Sequence, residues 1–148
     1  MSRSREQVIW EFVQEWLEKA EGDLRAAEHL LTLPQRDYFT AAFHAQQAAE
    51  KFLKAFLVRH QIAFPKTHRI QDLLGLAAGA EPRLNTELGS AAMLTPFGIE
   101  FRYPGEEIAD ARTARDALHE ASRVREAILR QLQGYLERGR PGRPRRTG

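Results

Sequence analysis

Apolar residues recur at three- and four-residue steps through three long stretches of the chain, a spacing typical of helices with one buried side. The first stretch runs from Val8 to Leu31 and the second from Asp37 to His60, with no proline inside either. Because only the short TLPQRD segment separates them, we expect these two helices to lie antiparallel. The third predicted long helix runs from Glu106 to about Leu136.

Shorter helices are predicted between the second and third long helices. Thr67 is placed to cap a short helix that begins close to Ile70. A moderately helical segment follows from Arg83 to about Thr95, and Pro96 either kinks it or restarts it with Thr95 as the cap. Alternating strand patterns and hairpin turns are absent from the sequence. The prediction is an all-α fold, an antiparallel up-down helical bundle of four to five helices, three long and one or two short.

Length and charge indicate one domain with a basic tail. A chain of 148 residues is long enough to bury its own core. The net charge is +2, but the last twelve residues, ERGRPGRPRRTG, hold five arginines and one glutamate and contribute +4. We therefore divide the chain into a helical domain, residues 1–136, and a disordered Arg/Gly/Pro tail, residues 137–148. The tail could hold RNA through phosphate contacts, or serve only to keep the protein soluble.

Several classes of site are excluded or disfavoured by composition. The chain has no cysteine, which excludes disulfides, thiolate nucleophiles and cysteine-based metal sites. Its five histidines do not cluster with carboxylates at ligand spacing, and phosphate-binding glycine loops are absent, so we predict no metal and no cofactor. The N-terminus lacks a signal-peptide pattern and apolar runs are too short to span a bilayer, so we expect a cytoplasmic protein with no membrane partner.

The second predicted helix carries an unusual polar side, opposite its apolar one. Two interpretations are open: these side chains are solvated on the outer face of the bundle, or they pack through hydrogen bonds against a neighbouring helix, which the abundant alanines would allow to approach closely. The residues concerned are His44, Gln46, Gln47, Glu50, Lys51 and Lys54.

Four segments, taken in order, resemble a known family. They are WLEKAEGDLRAAEHLL in the first helix, YFTAAFHAQQAAEKFLKAFLV in the second, FPKTHRIQDLL after it, and FRYPG before the last helix. Over roughly residues 16–132 the chain is similar to the HEPN family, the higher eukaryotes and prokaryotes nucleotide-binding domain. The ordered set is specific, whereas any one piece would be weak.

The resemblance implies an antiparallel four- or five-helix domain that forms a homodimer. It also implies a partner, a minimal nucleotidyltransferase paired with it in a toxin–antitoxin-like module, and binding of nucleotide or RNA phosphate. On this basis we expect two sets of functional residues. Phosphate binding is assigned to Arg102, Tyr103, Lys51, His44 and His68, and the partner or dimer interface to Gln47, Glu50 and Lys54.

Many members of the wider superfamily are metal-independent RNases that use an Arg and a His separated by four to six residues. Arg102 does not fit this motif, because the positions where the His is needed hold Glu107, Ile108 and Ala109. Arg112 and His119 do fit it, with six residues between them, but the arginine and histidine content predicts about two such matches by chance. Catalysis through Arg112 and His119 is therefore the alternative, and no residue is assigned a catalytic role in our main hypothesis.

Arg102 and His68 each have a second interpretation. Arg102 could be a cation that stabilises the end of a helix, with Pro104 ending that helix just after it, or it could grip phosphate beside a stacking Tyr103. His68 could bind phosphate, or tie the start of the short helix to the second helix. A bundle that only oligomerises is a third overall hypothesis, after the binding and regulatory protein and the RNase.

Overall fold

The computed structural model describes residues 2–98 and 109–142, and the described residues form six helices and no strand. Three of these helices are long and three are short. They are α1 (Arg5–Leu30), α2 (Tyr38–Arg59), α3 (Ile70–Ala77), α4 (Arg83–Glu87), a 3-10 helix (Gly89–Gly98) and α5 (Ala111–Arg138).

Side-chain caps determine where the long helices begin. The Ser4 hydroxyl accepts a hydrogen bond from the Gln7 backbone N–H, and the Gln7 side chain accepts one from the Ser4 N–H, which is a complete capping box for α1. Asp37 caps α2 by accepting from the Thr40 N–H at 3.0 Å, and Asp110 caps α5 by accepting from the Thr113 N–H at 2.8 Å. These hydrogen bonds to Thr113 also lower the pKa of the Asp110 carboxyl.

Contacts along the helices establish an up-down bundle. Trp10 near the start of α1 packs on Tyr135 near the end of α5, with ring centroids 5.1 Å apart, so these two helices are antiparallel. Arg59 at the end of α2 also lies on Tyr135, which makes α2 and α5 parallel. The chain between them returns in the opposite direction, since Glu87 pairs with Arg130 and the Ser90 hydroxyl accepts from Arg123 further up α5. The predicted all-α bundle is confirmed.

The α2 helix is the centre of the core. It contacts α1, α3, α5 and the 3-10 helix, and six buried alanines on it let the neighbouring backbones approach closely. Phe52, Leu53, Phe56 and Leu57 fill the remaining space without exposure. Each side chain of this kind contributes about 1.5–3 kcal/mol when it is fully buried. The alanine-rich pattern of α2 therefore serves close packing on several sides.

Three predicted boundaries need correction. The α5 helix begins at Ala111 rather than Glu106, because Asp110 is extended and caps it; Glu106 lies outside the described residues. The N-cap of α3 is Arg69 rather than Thr67, and it makes no side-chain cap; the Ile70 N–H instead donates to Thr95 Oγ1 at 3.1 Å. Thr67 instead accepts from the Arg69 N–H.

The segment predicted as one helix, Arg83 to about Thr95, is divided at Leu88 into α4 and the 3-10 helix. Gly89 and Ser90 follow Leu88 and favour helices weakly, and Pro96 inside the 3-10 helix has no N–H to donate. The structure thus has three short helices in place of the one or two expected.

Part of the predicted tail lies against α1. Glu137 and Arg138 complete α5, and Gly139 turns the chain with φ of 75°, a conformation that favours glycine. Beyond it, the Pro141 carbonyl accepts from Gln7 Nε2 at 2.9 Å and Arg140 pairs with Glu11 at 3.1 Å. Residues 139–142 are therefore held by contacts, and residues 143–148 lie outside the described part.

Candidate functional site

A group of five side chains at the polar side of α2 forms what we call the Glu50 cluster. It consists of Gln46, Gln47, Glu50 and Lys54 on α2, together with His68 from the segment before α3. Glu50 stands at its centre with 3% of the residue exposed. Lys54 Nζ donates to Glu50 Oε1 at 2.7 Å, and the Nε2 atoms of Gln46 and Gln47 each lie 3.3 Å from Oε2. His68 Nδ1 lies 3.2 Å from Oε1. The carboxylate thus has partners on every side.

This arrangement decides between the two interpretations of the polar side. A buried carboxylate is tolerated only when it is paired and hydrogen-bonded, and Glu50 is both. Gln46, with no exposed surface, also donates to the His68 carbonyl at 2.9 Å, which ties α2 to the segment before α3. Solvation on an outer face is therefore wrong for Gln46 and Glu50. They do pack through hydrogen bonds, but against the segment before α3 and not against a helix.

Lys54 is a structural cation in this chain. Its ammonium lies 5.4 Å from the ring centroid of Trp16 and 5.5 Å from that of Phe64, so two aromatic faces and Glu50 surround it. The prediction that Gln47, Glu50 and Lys54 form a partner interface stays a prediction. Their polar groups have intramolecular partners, so an interface here would have to use the outer edge of the cluster.

A second group, the Asp23 cluster, joins α2 to α1 and consists of Asp23, His44 and Lys51. His44 Nδ1 lies 2.9 Å from Asp23 Oδ1, and Lys51 pairs with the other oxygen of the same carboxylate. Its side chains are more exposed than Glu50. His44 and Lys51, both expected to bind phosphate, thus share one counter-ion, and a phosphate at either of them would compete with Asp23.

His68 lies where the structural interpretation placed it, at the start of α3 and against α2. Its side chain is nevertheless 68% exposed, so one edge of the ring remains accessible while Nδ1 faces Glu50. Lys66 and Arg69 are exposed beside it. We did not single out these two cations from the sequence, although FPKTHR carries both. Together, Lys66, His68 and Arg69 form an exposed basic loop next to the Glu50 cluster.

Gly98 connects this region to the FRYPG segment. A Cβ on Gly98 would lie 3.2 Å from the Gln46 amide and 3.3 Å from His68 Cβ, so the backbone approaches the Glu50 cluster as closely as glycine allows. Arg102 and Tyr103, the main phosphate-binding candidates, lie outside the described residues. Arg102 follows Gly98 by four positions in the sequence.

Arg112 and His119, the alternative catalytic pair, both lie on the exposed side of α5. Seven positions correspond to about two helical turns, or about 10 Å along the axis, so the two share a stripe of the surface. Neither side chain has a hydrogen-bond partner among the described residues. Arg112 and His119 therefore lie on one face of α5 without a hydrogen bond between them.

The described residues contain neither a metal-ligand cluster nor a membrane-spanning helix. Within residues 2–98 and 109–142, no three His, Asp or Glu side chains are grouped so that they could hold a metal ion. Across the same residues, no helix has the length and apolar character that crossing a membrane requires.

Comparison with known families identifies the chain. The family profile described as HEPN domain matches residues 13–132, which is most of the sequence. The chain belongs to the HEPN domain family. Comparisons with curated proteins and with solved structures gave no significant match.

The HEPN match includes both polar clusters and the pair Arg112 and His119. It begins within α1 and ends within α5, close to the limits of residues 16–132 that the sequence motifs indicated. The first turns of α1 and the last turn of α5 lie outside it. Family membership therefore bears on the Glu50 cluster, while the two helix ends that meet at the opposite end of the bundle are outside the match.

Proposed function

We propose that this HEPN protein is a binding and regulatory module that holds nucleotide or RNA phosphate beside the Glu50 cluster. The observation that carries the proposal is the exposed basic loop, Lys66, His68 and Arg69, which lies where Gly98 leads the chain towards Arg102 and Tyr103. Arg102 and Tyr103 follow Gly98 by four and five positions in the sequence.

The loop provides positive charge, and Glu50 fixes the orientation of the His68 ring. Arg69 has only a long ion pair with Asp72, 3.9 Å, and both side chains are exposed, so its guanidinium can turn to a phosphate at little cost. His68 is oriented by Glu50, which fixes its ring edge towards solvent. Tyr103 would add a stacking face for a base. His44 and Lys51 contribute less, because both already contact the Asp23 carboxylate.

The proposal includes assembly. Homodimer formation and pairing with a minimal nucleotidyltransferase follow from the family resemblance, and the paired state of Glu50 and Lys54 limits their role to orienting neighbouring groups. Gln47, only partly buried, is the member of the Glu50 cluster best placed to meet a second chain.

Titration of the purified protein with ATP, GTP and a short single-stranded RNA tests the phosphate site. Binding that is lost in Arg102→Ala and weakened in Arg69→Gln, at an unchanged melting temperature, is expected. Arg25→Gln is the matched control, since Arg25 is an exposed arginine of α1 that belongs neither to the loop nor to the stripe of Arg112 and His119. Absence of heat with all three ligands would remove the binding half of the proposal.

Assembly has its own test. We expect a dimer in light scattering and co-purification of a minimal nucleotidyltransferase. A monomer that captures no such partner would remove the regulatory half.

The second candidate function is an RNase acting through Arg112 and His119. It is favoured by one observation, the position of both side chains on a single exposed stripe of α5. Cleavage of RNA that survives EDTA and is lost in His119→Ala would support it. Equal cleavage by His119→Ala and the parent protein would exclude it.

A further inference from the structure

A cavity of about 420 Å³ lies at the end of the bundle where α1 begins and where α2 and α5 end. Its volume is in the range of pockets that hold small ligands. Arg59, on its wall, is thirteen residues after Gln46 on α2, about 20 Å along the helix axis. The cavity is thus separate from the phosphate site proposed beside the Glu50 cluster.

Cations outnumber acids on the cavity wall. Three arginines line it, Arg59, Arg138 and Arg140, against one acid among the described lining residues, Glu6. We call this the arginine cavity. Arg140 also pairs with Glu11 at 3.1 Å, through only one of its nitrogens. Arg59 and Arg138 have no acidic partner within 4 Å among the described residues.

Helix dipoles account for the positions of Arg59 and Arg138 but not for that of Arg140. Arg59 and Arg138 occupy the last turns of α2 and α5, where a cation is favoured. Arg140 belongs to no helix, and it reaches the cavity because Gly139 turns the chain and the contact of Pro141 with Gln7 holds it against α1. Three arginines from three separate positions therefore line one cavity.

The donors are oriented for binding. The guanidinium of Arg59 lies 4.2 Å from the ring centroid of Tyr135, and stacking by its face leaves the N–H groups at its edge free to donate. Tyr135 is itself held by Trp10 on the other helix. Its hydroxyl is buried without a hydrogen-bond partner among the described groups, a cost of about 1–3 kcal/mol that an incoming acceptor would relieve.

The number of donors indicates which anion fits. An arginine fork is satisfied by two oxygens, so a single carboxylate can pair fully with only one of the three guanidinium groups. A diphosphate offers several oxygens around two centres and can pair with all three. We propose that the arginine cavity binds a small phosphate-bearing molecule, with its diphosphate group between Arg59, Arg138 and Arg140. Glu6, Tyr135 and most of the remaining wall lie outside the HEPN match, so this site is a feature of the chain and not of the matched family region.

The test is a titration of the ¹⁵N-labelled full chain with inorganic pyrophosphate, followed by the amide resonances of Gln61, Tyr135 and Gly139. These amides report on the cavity, whereas those of His68 and Arg69 report on the other site. Saturable shifts at the first three are expected. Arg138→Gln should weaken pyrophosphate binding there by about tenfold or more, because one charge-assisted fork is lost. Arg138 is exposed, so this variant is expected to fold.

Two controls make the result specific. Arg115→Gln removes one charge from the same helix and should leave the titration at Gln61, Tyr135 and Gly139 unchanged. Citrate, an anion of similar charge with carboxylates only, should bind at least about tenfold more weakly than pyrophosphate. Absent shifts at these amides, unchanged affinity in Arg138→Gln, or equal affinity for citrate would each overturn the proposal.

A parallel titration with ADP separates the sources of the phosphate. Tighter binding of ADP than of pyrophosphate would mean that the nucleoside also contacts the cavity, and the ligand would be a nucleotide. Equal affinities would mean that the phosphates alone are recognised. Either result supports the site, while failure of ADP and pyrophosphate to shift the three amides would contradict it.

Discussion

The Glu50 cluster and the arginine cavity are both built from charged side chains on α2 and its neighbours, yet they use charge in opposite ways. In the Glu50 cluster one buried carboxylate is matched by Lys54, His68 and two amides, so its charge contributes to holding α2 against the segment before α3. In the arginine cavity three arginines stand against one acid among the described lining residues. Matched charge in a buried site stabilises the fold, and unmatched charge beside a cavity is available to a ligand.

The largest expected effect is loss of the central carboxylate. Glu50→Gln leaves the shape but removes the charge opposite Lys54, and breaking a buried pair costs about 3–5 kcal/mol of unfolding free energy. Urea denaturation measures it. Glu87→Gln is the control, because its ion pair with Arg130 is largely exposed and contributes at most about 1 kcal/mol. A Glu50→Gln protein as stable as Glu87→Gln would show that the cluster does not hold the fold.

The Asp23 cluster should fall between these two cases. Asp23→Asn weakens its contacts with His44 and Lys51, which are partly exposed, so we expect a loss of about 1 kcal/mol in the same urea experiment. Asp116→Asn, an exposed carboxylate of α5, is the control and should change little. A loss as large as that of Glu50→Gln would contradict the ranking of the two clusters by burial.

A smaller effect of opposite sign is expected at the wall of the arginine cavity. Gln61 has φ of 55° in the turn that ends α2, where the Ile62 N–H donates to the Leu57 carbonyl at 2.9 Å. Since side chains disfavour this conformation, Gln61→Gly should raise the free energy of unfolding by up to about 1 kcal/mol. Gln133→Gly, in the helical part of α5, should lower it by about 1 kcal/mol. Equal signs for the two variants would contradict the assignment of strain to Gln61.

The smallest effect at neutral pH concerns Tyr135. Burial raises the pKa of its hydroxyl above the ordinary 10.0, with Arg59 lowering it and Glu6 raising it. The folded state therefore holds this proton more tightly than the unfolded state, and the resulting stability is present below pH 10 and lost as pH rises through the raised pKa. Melting temperatures measured from pH 8 to 11 should fall less steeply in Tyr135→Phe than in Tyr38→Phe. Identical slopes would show that the hydroxyl is not protected by the fold.

The sequence was sufficient to predict the helical bundle because the signals that mark each long helix are local. Helical periodicity and Pro34 placed α1 and α2, and the predicted start of the second helix at Asp37 falls on its cap. The S-x-x-Q pattern at Ser4 and Gln7 is also local and could have placed the start of α1 at Arg5 instead of Val8. The partner of the first N–H of α3 could not be predicted in this way, because Thr95 Oγ1 accepts from the Ile70 N–H across twenty-five residues of sequence.

The candidate sites were harder to predict from the sequence than the fold, because tertiary contacts form them. Gln46, Glu50 and Lys51 were recognised as unusual, but the sequence does not reveal that Glu50 is buried or that Lys51 faces Asp23 on α1. The arginine cavity joins α1, α2 and α5 with residues that lie about fifty positions or more apart, and its three arginines read as ordinary helix-end or tail charges. Only the packing of the three helix ends brings them together.

The most direct test of this division of charge is the melting temperature of two variants with and without pyrophosphate, each in an Arg102→Gln chain so that the site beside the Glu50 cluster contributes less. A ligand that binds only the folded state raises the melting temperature. We predict that Glu50→Gln melts lower but keeps the increase caused by pyrophosphate, while Arg138→Gln melts normally and loses that increase. An increase that survives Arg138→Gln, or disappears in folded Glu50→Gln, would contradict the account.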